Sequence, residues 1–77
     1  MDFTRITFDP AMMGGKACIR GMRFPVAVVL RMVAGGMTVQ EILNDHPDLE
    51  AEDIAECLRY AAYLAEDRVQ PLRPTGS

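Results

Sequence analysis

The spacing of apolar residues changes at Pro25, and this change constrains the fold more than any other feature of the chain. Before it, residues 3–8 alternate apolar and polar side chains, which predicts a short strand, and residues 16–21 can return as a second strand. After it, apolar residues recur at the i, i+3, i+4, i+7 spacing of one helix face, at Val26, Val29, Leu30 and Val33. Strands this short are weak alone, so we expect them to pack on the helices or on a second copy of the chain.

Local signals divide the rest of the chain into two further helices. The two glycines at 35–36 end the first helix, because glycine adopts a left-handed cap without strain. Thr38 and Glu41 form the T-x-x-E pattern of a capping box, which starts a second helix that Pro47 closes. A third helix opens in the acidic stretch "DLEAED", and its inner face is predicted to consist of Ile54, Cys57, Leu58, Ala61, Leu64 and Ala65.

These elements predict one mostly α-helical domain over residues 1–66. A short N-terminal β element, residues 1–24, precedes a three-helix, helix-turn-helix-like (homeodomain-like) bundle, residues 25–66, although any three-helix bundle gives a similar pattern. Residues 67–77 contain two prolines and little that could pack, which favours an extended or disordered tail.

The small size of the chain favours self-association. A domain of 77 residues buries only about 60% of the surface that its unfolded chain exposes, so we expect a homodimer. Cys18 and Cys57 lack the spacing of a zinc site and are expected to be free and buried, with one disulfide as the alternative. Without an export signal or an apolar run long enough to span a bilayer, the expected location is the cytoplasm and the expected state is soluble.

Charge is divided unevenly along the chain, whose net charge is −3. Residues 1–36 hold five basic and two acidic side chains, whereas residues 37–77 hold three basic and nine acidic ones. An acidic third helix is repelled by phosphate, so any DNA contact belongs to the N-terminal half. The candidates for DNA or dimer contacts are Arg5, Lys16, Arg20 and Arg23, and the alternative is that they are ordinary surface cations.

Catalytic patterns are weak in this sequence. The glycine-rich stretch before Lys16 is not a nucleotide-binding loop, because Pro10 replaces the first glycine and Ala17 replaces the Ser or Thr that binds magnesium. The single histidine, His46, is expected at the end of the second helix. The acids of the third helix, Glu50, Glu52, Asp53 and Glu56, are interpreted as a solvated face with capping roles. We therefore predict no enzyme, no catalytic residue, no cofactor and no metal site.

The C-terminal segment offers anchors for a protein partner. Aromatic, basic and apolar side chains follow one another there, and segments of this kind fold on binding. The predicted partner-binding residues are Tyr63, Arg68, Leu72 and Arg73, and the alternative is a frayed end.

The combined pattern resembles the domain-of-unknown-function family numbered 433. The resemblance covers roughly residues 6–66, with Met22, His46 and Glu50 as departures from the family's usual residues. The residues that carry it are Gly15, Lys16, Ile19, Arg20, Gly21, Arg23, Gly36, Thr38, Glu41, Ile42, Pro47, Leu49, Asp53 and Ile54.

This resemblance implies a helix-turn-helix-like fold and, for many members, the role of antitoxin against a PIN-like ribonuclease. We therefore expect the antitoxin of a type II toxin–antitoxin pair that also binds its own promoter DNA. Because the active site of such a ribonuclease is a cluster of acids, Arg68 or Arg73 entering it is chemically sensible. The alternatives are a stand-alone DNA-binding transcriptional regulator and a small protein-interaction adaptor.

Overall fold

A computed structural model describes residues 3–67 of the chain. Its elements are β1 (Ile6–Phe8), β2 (Ala17–Ile19), α1 (Val26–Ala34), α2 (Val39–Asp45) and α3 (Ala51–Asp67), with a short 3₁₀ turn at Met13–Gly15. The predicted mostly helical fold, a short β element followed by three helices, is confirmed. The predicted tail lies outside the described residues, apart from its first residue, which ends α3.

The two strands form an antiparallel hairpin. Ile6 pairs with Ile19, Thr7 with Cys18 and Phe8 with Ala17. A bridge between Cys18 and Pro25 then joins the hairpin to the start of α1. Because Ile6 and Ile19 are both buried, the hairpin contributes one wall of the core.

The predicted helix boundaries around the 35–36 glycines are confirmed. Gly36 has a φ of 95°, in the left-handed region. Its N–H donates to the carbonyl of Val33 at 3.0 Å, and the N–H of Met37 donates to the carbonyl of Met32 at 3.1 Å. These two bonds make a Schellman motif, which satisfies carbonyls that the end of α1 leaves free.

The capping box of α2 is also confirmed. Thr38 Oγ1 accepts a hydrogen bond from the Glu41 N–H at 3.1 Å, and Glu41 Oε1 accepts one from the Thr38 N–H at 2.8 Å. At the other end, the His46 N–H donates to the carbonyl of Ile42 at 2.9 Å. The ring of His46 packs edge-on against Phe24, with centroids 5.1 Å apart.

The core lies where the hairpin, α1, α2 and α3 meet, and its buried residues are Ile6, Ile19, Val26, Val29, Ile42, Leu49, Ile54 and Cys57. Both cysteines are buried and free. In the part of the chain that the structure describes, no helix is long and apolar enough to cross a membrane.

The inner face of α3 differs from the prediction. Leu58 and Leu64 are exposed, whereas Asp53 and Glu56 are only 1% and 7% exposed. The interpretation of these two acids as part of a solvated face is therefore wrong. The physical reason is that the β element lies against this part of α3. The guanidinium groups of Arg5 and Arg20 pair with Asp53, and the main-chain N–H of Arg5 donates to Glu56.

Candidate functional site

A buried carboxylate, that of Asp53, lies at the centre of the contact between the hairpin and α3. Its Oδ1 accepts hydrogen bonds from Arg5 Nη1 at 2.9 Å and from Arg20 Nε at 3.0 Å. Its Oδ2 accepts from Arg20 Nη2 and from the N–H of Glu50, both at 2.8 Å. The last bond caps the start of α3, so one side chain both begins the helix and fixes the hairpin to it.

Arg20 reaches Asp53 from an unusual backbone conformation. Its φ is 45°, in the left-handed region, which costs a non-glycine residue roughly 1–2 kcal/mol. The turn after β2 imposes this conformation, and the guanidinium then meets Asp53 with two parallel bonds. Nη2 also donates to the carbonyl of Asp48 at 2.8 Å. Paired charge-assisted bonds of this kind are strong enough to offset the backbone strain.

Arg5 contributes both its side chain and its main chain to the same contact. Its Nη1 lies 2.7 Å from Glu50 Oε1, and its main-chain N–H donates to Glu56 Oε2 at 2.6 Å. The second bond explains why Glu56 is buried. We call the five residues of this network the clasp: Arg5, Arg20, Glu50, Asp53 and Glu56.

The clasp keeps its central groups charged. Burial alone would raise the pKa of Asp53, but hydrogen bonds from Arg20, the Glu50 main chain and Arg5 lower it to about 2. The bonds to Glu50 and Asp53 raise the pKa of Arg5, and the bond to Asp53 raises that of Arg20. Beneath the clasp, burial and the charges of Asp53 and Glu56 raise the pKa of the Cys57 thiol to about 11. At neutral pH these groups therefore form a fixed ion network over a neutral thiol.

This arrangement gives two of the four predicted contact cations a partner within their own chain. Arg5 and Arg20 bind Asp53, a possibility that the sequence interpretation did not include. Lys16 and Arg23 are exposed, and neither forms an ion pair within residues 3–67. A DNA or dimer contact therefore stays a prediction, and Lys16 and Arg23, which have no ion-pair partner in the described part of the chain, suit it better than the other two.

The predicted partner-binding residues are only partly described. Tyr63 is exposed on α3, whereas Arg68, Leu72 and Arg73 lie outside the described residues. Across residues 3–67 there is no group of three or more His, Cys, Asp or Glu side chains that could hold a metal ion.

An apolar groove of about 310 Å³ runs between β2, the start of α1 and the second half of α3. Aromatic rings extend this surface: Tyr60 lies 5.2 Å from Phe3 and 6.3 Å from Phe8, between ring centroids. The groove is lined by Lys16, Ala17, Pro25, Val26, Ala27, Leu30, Tyr60 and Leu64. With one charge among eight lining residues, it is a surface for apolar contact.

Comparison with known proteins places these features in a family. Residues 6–61 match the family model described as "Protein of unknown function (DUF433)". The chain belongs to the DUF433 family. The match spans four of the five clasp residues and all but Leu64 of the groove.

Two relatives of this DUF433 chain are informative. An uncharacterized protein, y4eO, from Sinorhizobium fredii (strain NBRC 101917 / NGR234) is 40% identical over 68 residues, which cover 88% of this chain and 28% of y4eO. The crystal structure of a DUF433 member from Anabaena variabilis ATCC 29413 superposes with a TM-score of 0.74 at 32% identity. That match covers 82% of this chain and 62% of the other. The chain thus spans about a quarter of the first relative and less than two thirds of the second.

The sequence interpretation missed the clasp, although one signal was present. Arg20 and Asp53 both belong to the string of residues that carries the family resemblance, and opposite charges in such a string suggest a pair. Their separation of 33 residues hides the pairing from any local pattern.

Proposed function

We propose that this DUF433 chain is a binding module rather than an enzyme, and that it is the antitoxin of a type II toxin–antitoxin pair. The observation that carries the proposal is a pair of exposed side chains on the second half of α3. Tyr63 and Leu64 are 43% and 39% exposed there, shortly before the segment that begins at residue 68. Exposed aromatic and aliphatic side chains grouped on one element are typical of a protein-binding surface.

The basic residues that follow α3 in the sequence suggest a partner with an acidic site. The one cation of α3, Arg59, is paired with Glu52 at 2.6 Å, so the helix itself offers no free positive charge. Arg68 and Arg73 follow it in the sequence. A PIN-like ribonuclease presents a cluster of carboxylates, and arginine binds carboxylates with paired hydrogen bonds. We infer that Tyr63 and Leu72 anchor the contact while these two arginines enter the acidic site.

Binding to promoter DNA is the second part of the proposal. It is supported by Lys16 and Arg23, the two predicted contact cations that are exposed and form no ion pair within residues 3–67. Because α3 is acidic, this contact would use the β element and its loops rather than a recognition helix. A stand-alone regulator would bind DNA through the same surface. The two functions therefore differ in whether the chain also binds a ribonuclease.

The test is a pull-down of the tagged chain from its native host, with nuclease added, followed by mass spectrometry. The antitoxin proposal expects a PIN-like ribonuclease in stoichiometric amount. Recovery of the bait alone, together with promoter binding that weakens steeply with salt, would contradict it and favour the regulator.

A variant pair separates the two parts of the proposal. Replacing Lys16 and Arg23 by alanine should weaken promoter binding and flatten its salt dependence, while ribonuclease binding is unchanged. The control replaces Arg31, an exposed arginine on α1, and should leave both activities as they are. Equal loss of both activities in the Lys16/Arg23 variant would show that they share one surface.

A further inference from the structure

Within residues 3–67, one edge of strand β1 has no partner strand. The Arg20 N–H donates to the carbonyl of Arg5 at 2.8 Å, which makes Thr7 and Cys18 the next hydrogen-bonded pair of the hairpin. The N–H and C=O of Phe8 therefore point away from β2. No hydrogen bond within residues 3–67 uses these two groups. An edge of this kind is a template for another strand.

The side chains at this edge favour pairing. Phe8 is 58% exposed, and its ring lies against Tyr60 at the border of the apolar groove. Opposite Phe8 on β2 is Ala17, which lines that groove. Folded proteins protect an open edge by keeping the strand short or by placing a charged side chain, a proline or a bulge on it. Strand β1 has only three residues and is followed by Asp9 and Pro10, but Ile6–Phe8 itself contains no charged side chain, proline or bulge.

We propose that this edge pairs with the same edge of a second copy of the chain, about a two-fold axis at Phe8. Each Phe8 N–H then donates to the Phe8 carbonyl of the other copy, and the two rings meet beside the Tyr60 side chains. An open strand edge can bind another strand in antiparallel orientation. Two identical edges satisfy each other's hydrogen bonds when a two-fold axis passes between the same residue of each copy.

Charge and chain geometry agree with this register. Thr7 of one copy faces Asp9 of the other, so the two Asp9 carboxylates do not oppose each other. Pro10 has no N–H and ends the pairing after Asp9, where the chain turns. The dimer surface lies on β1 and its aromatic neighbours, and the proposal holds whether or not the chain neutralises a ribonuclease.

The first test measures the mass of the purified full chain by sedimentation equilibrium. The wild-type chain is expected at twice its monomer mass of 8.5 kDa. Phe8→Thr keeps a residue suited to a strand but removes the ring, and should raise the dimer dissociation constant at least ~10-fold. The control, Val39→Thr, changes an apolar residue that is 44% exposed on α2 and should stay dimeric. Circular dichroism verifies that both variants are folded.

The second test fixes the register by cross-linking. In a hydrogen-bonded antiparallel pair the Cα atoms are about 5.5 Å apart, within the range that a disulfide spans. The native cysteines are buried, so mild oxidation of Phe8→Cys should give a covalent dimer through position 8. Val39→Cys should not. A monomeric wild-type chain, a Phe8→Thr variant whose dimer dissociation constant equals that of wild type, or equal cross-linking of the two cysteine variants would overturn the proposal.

Discussion

At the scale of single residues, Asp53 determines how the hairpin is held. Its carboxylate is buried and has four hydrogen bonds, two to Arg20 and one each to Arg5 and the Glu50 main chain. A buried charge is tolerated only when it is paired and fully hydrogen-bonded, and this one meets both conditions. Removing it leaves two guanidinium groups without the carboxylate that they share, and α3 without part of its cap.

Asp53→Asn should therefore be the most damaging conservative change in the clasp. We expect it to lower the free energy of unfolding by about 2–3 kcal/mol, since breaking a buried ion pair leaves charge uncompensated and the two arginines are partly exposed. Urea denaturation followed by circular dichroism measures the change. Asp45→Asn, which alters an exposed acid at the end of α2, is the control and should stay within about 0.5 kcal/mol of wild type. Equal stability of the two variants would show that the clasp contributes nothing.

The low pKa of Asp53 should make the free energy of unfolding depend on pH in the acid range. Its pKa is about 2 in the folded chain against an ordinary value of 3.8. Because the folded-state pKa is the lower one, this stabilisation is complete above about pH 4 and is lost as the pH falls towards 2. The difference in unfolding free energy between wild type and Asp53→Asn should shrink by about 2 kcal/mol over that interval. A difference that does not change with pH would contradict the assigned pKa.

Among the secondary-structure elements, the sequence correctly predicted those helix ends that depend on residues close together in the chain. The capping box of Thr38 and Glu41 and the glycine end of α1 are confirmed because each depends on residues within a few positions of one another. The clasp joins residues 33 to 51 positions apart, so periodicity counted Asp53 and Glu56 as solvated. The same periodicity counted Leu58 and Leu64 as core, whereas these side chains are 42% and 39% exposed.

The cap of α2 gives a prediction at this scale. Thr38→Ala removes the acceptor for the Glu41 N–H and should lower the free energy of unfolding by about 1 kcal/mol. Thr4→Ala, at an exposed position before β1, should change it by less than about 0.5 kcal/mol. Thermal or urea unfolding of the two variants side by side measures the difference, and a Thr38→Ala variant as stable as the control would refute the role of the cap.

At the scale of the whole molecule, the clasp neutralises positive charge that the sequence places on the β element. Among the described residues, the surfaces that stay exposed for contact include Phe8 and the groove, the side chains late in α3, and the cations Lys16 and Arg23. The family and the fold of the β element and three helices could be predicted from the sequence. Which cations are free could not, because that depends on contacts between distant segments.

The proposed neutralisation of a ribonuclease through α3 and the segment after it can be measured as inhibition of that enzyme. The measurement titrates the co-purified PIN-like ribonuclease with wild-type chain, with an Arg68→Ala/Arg73→Ala double variant, and with an Arg23→Ala/Arg31→Ala double variant as the matched control. We expect the control to inhibit as wild type does, while the first variant needs at least ~10-fold more chain for the same inhibition. Equal inhibition by all three proteins would contradict it.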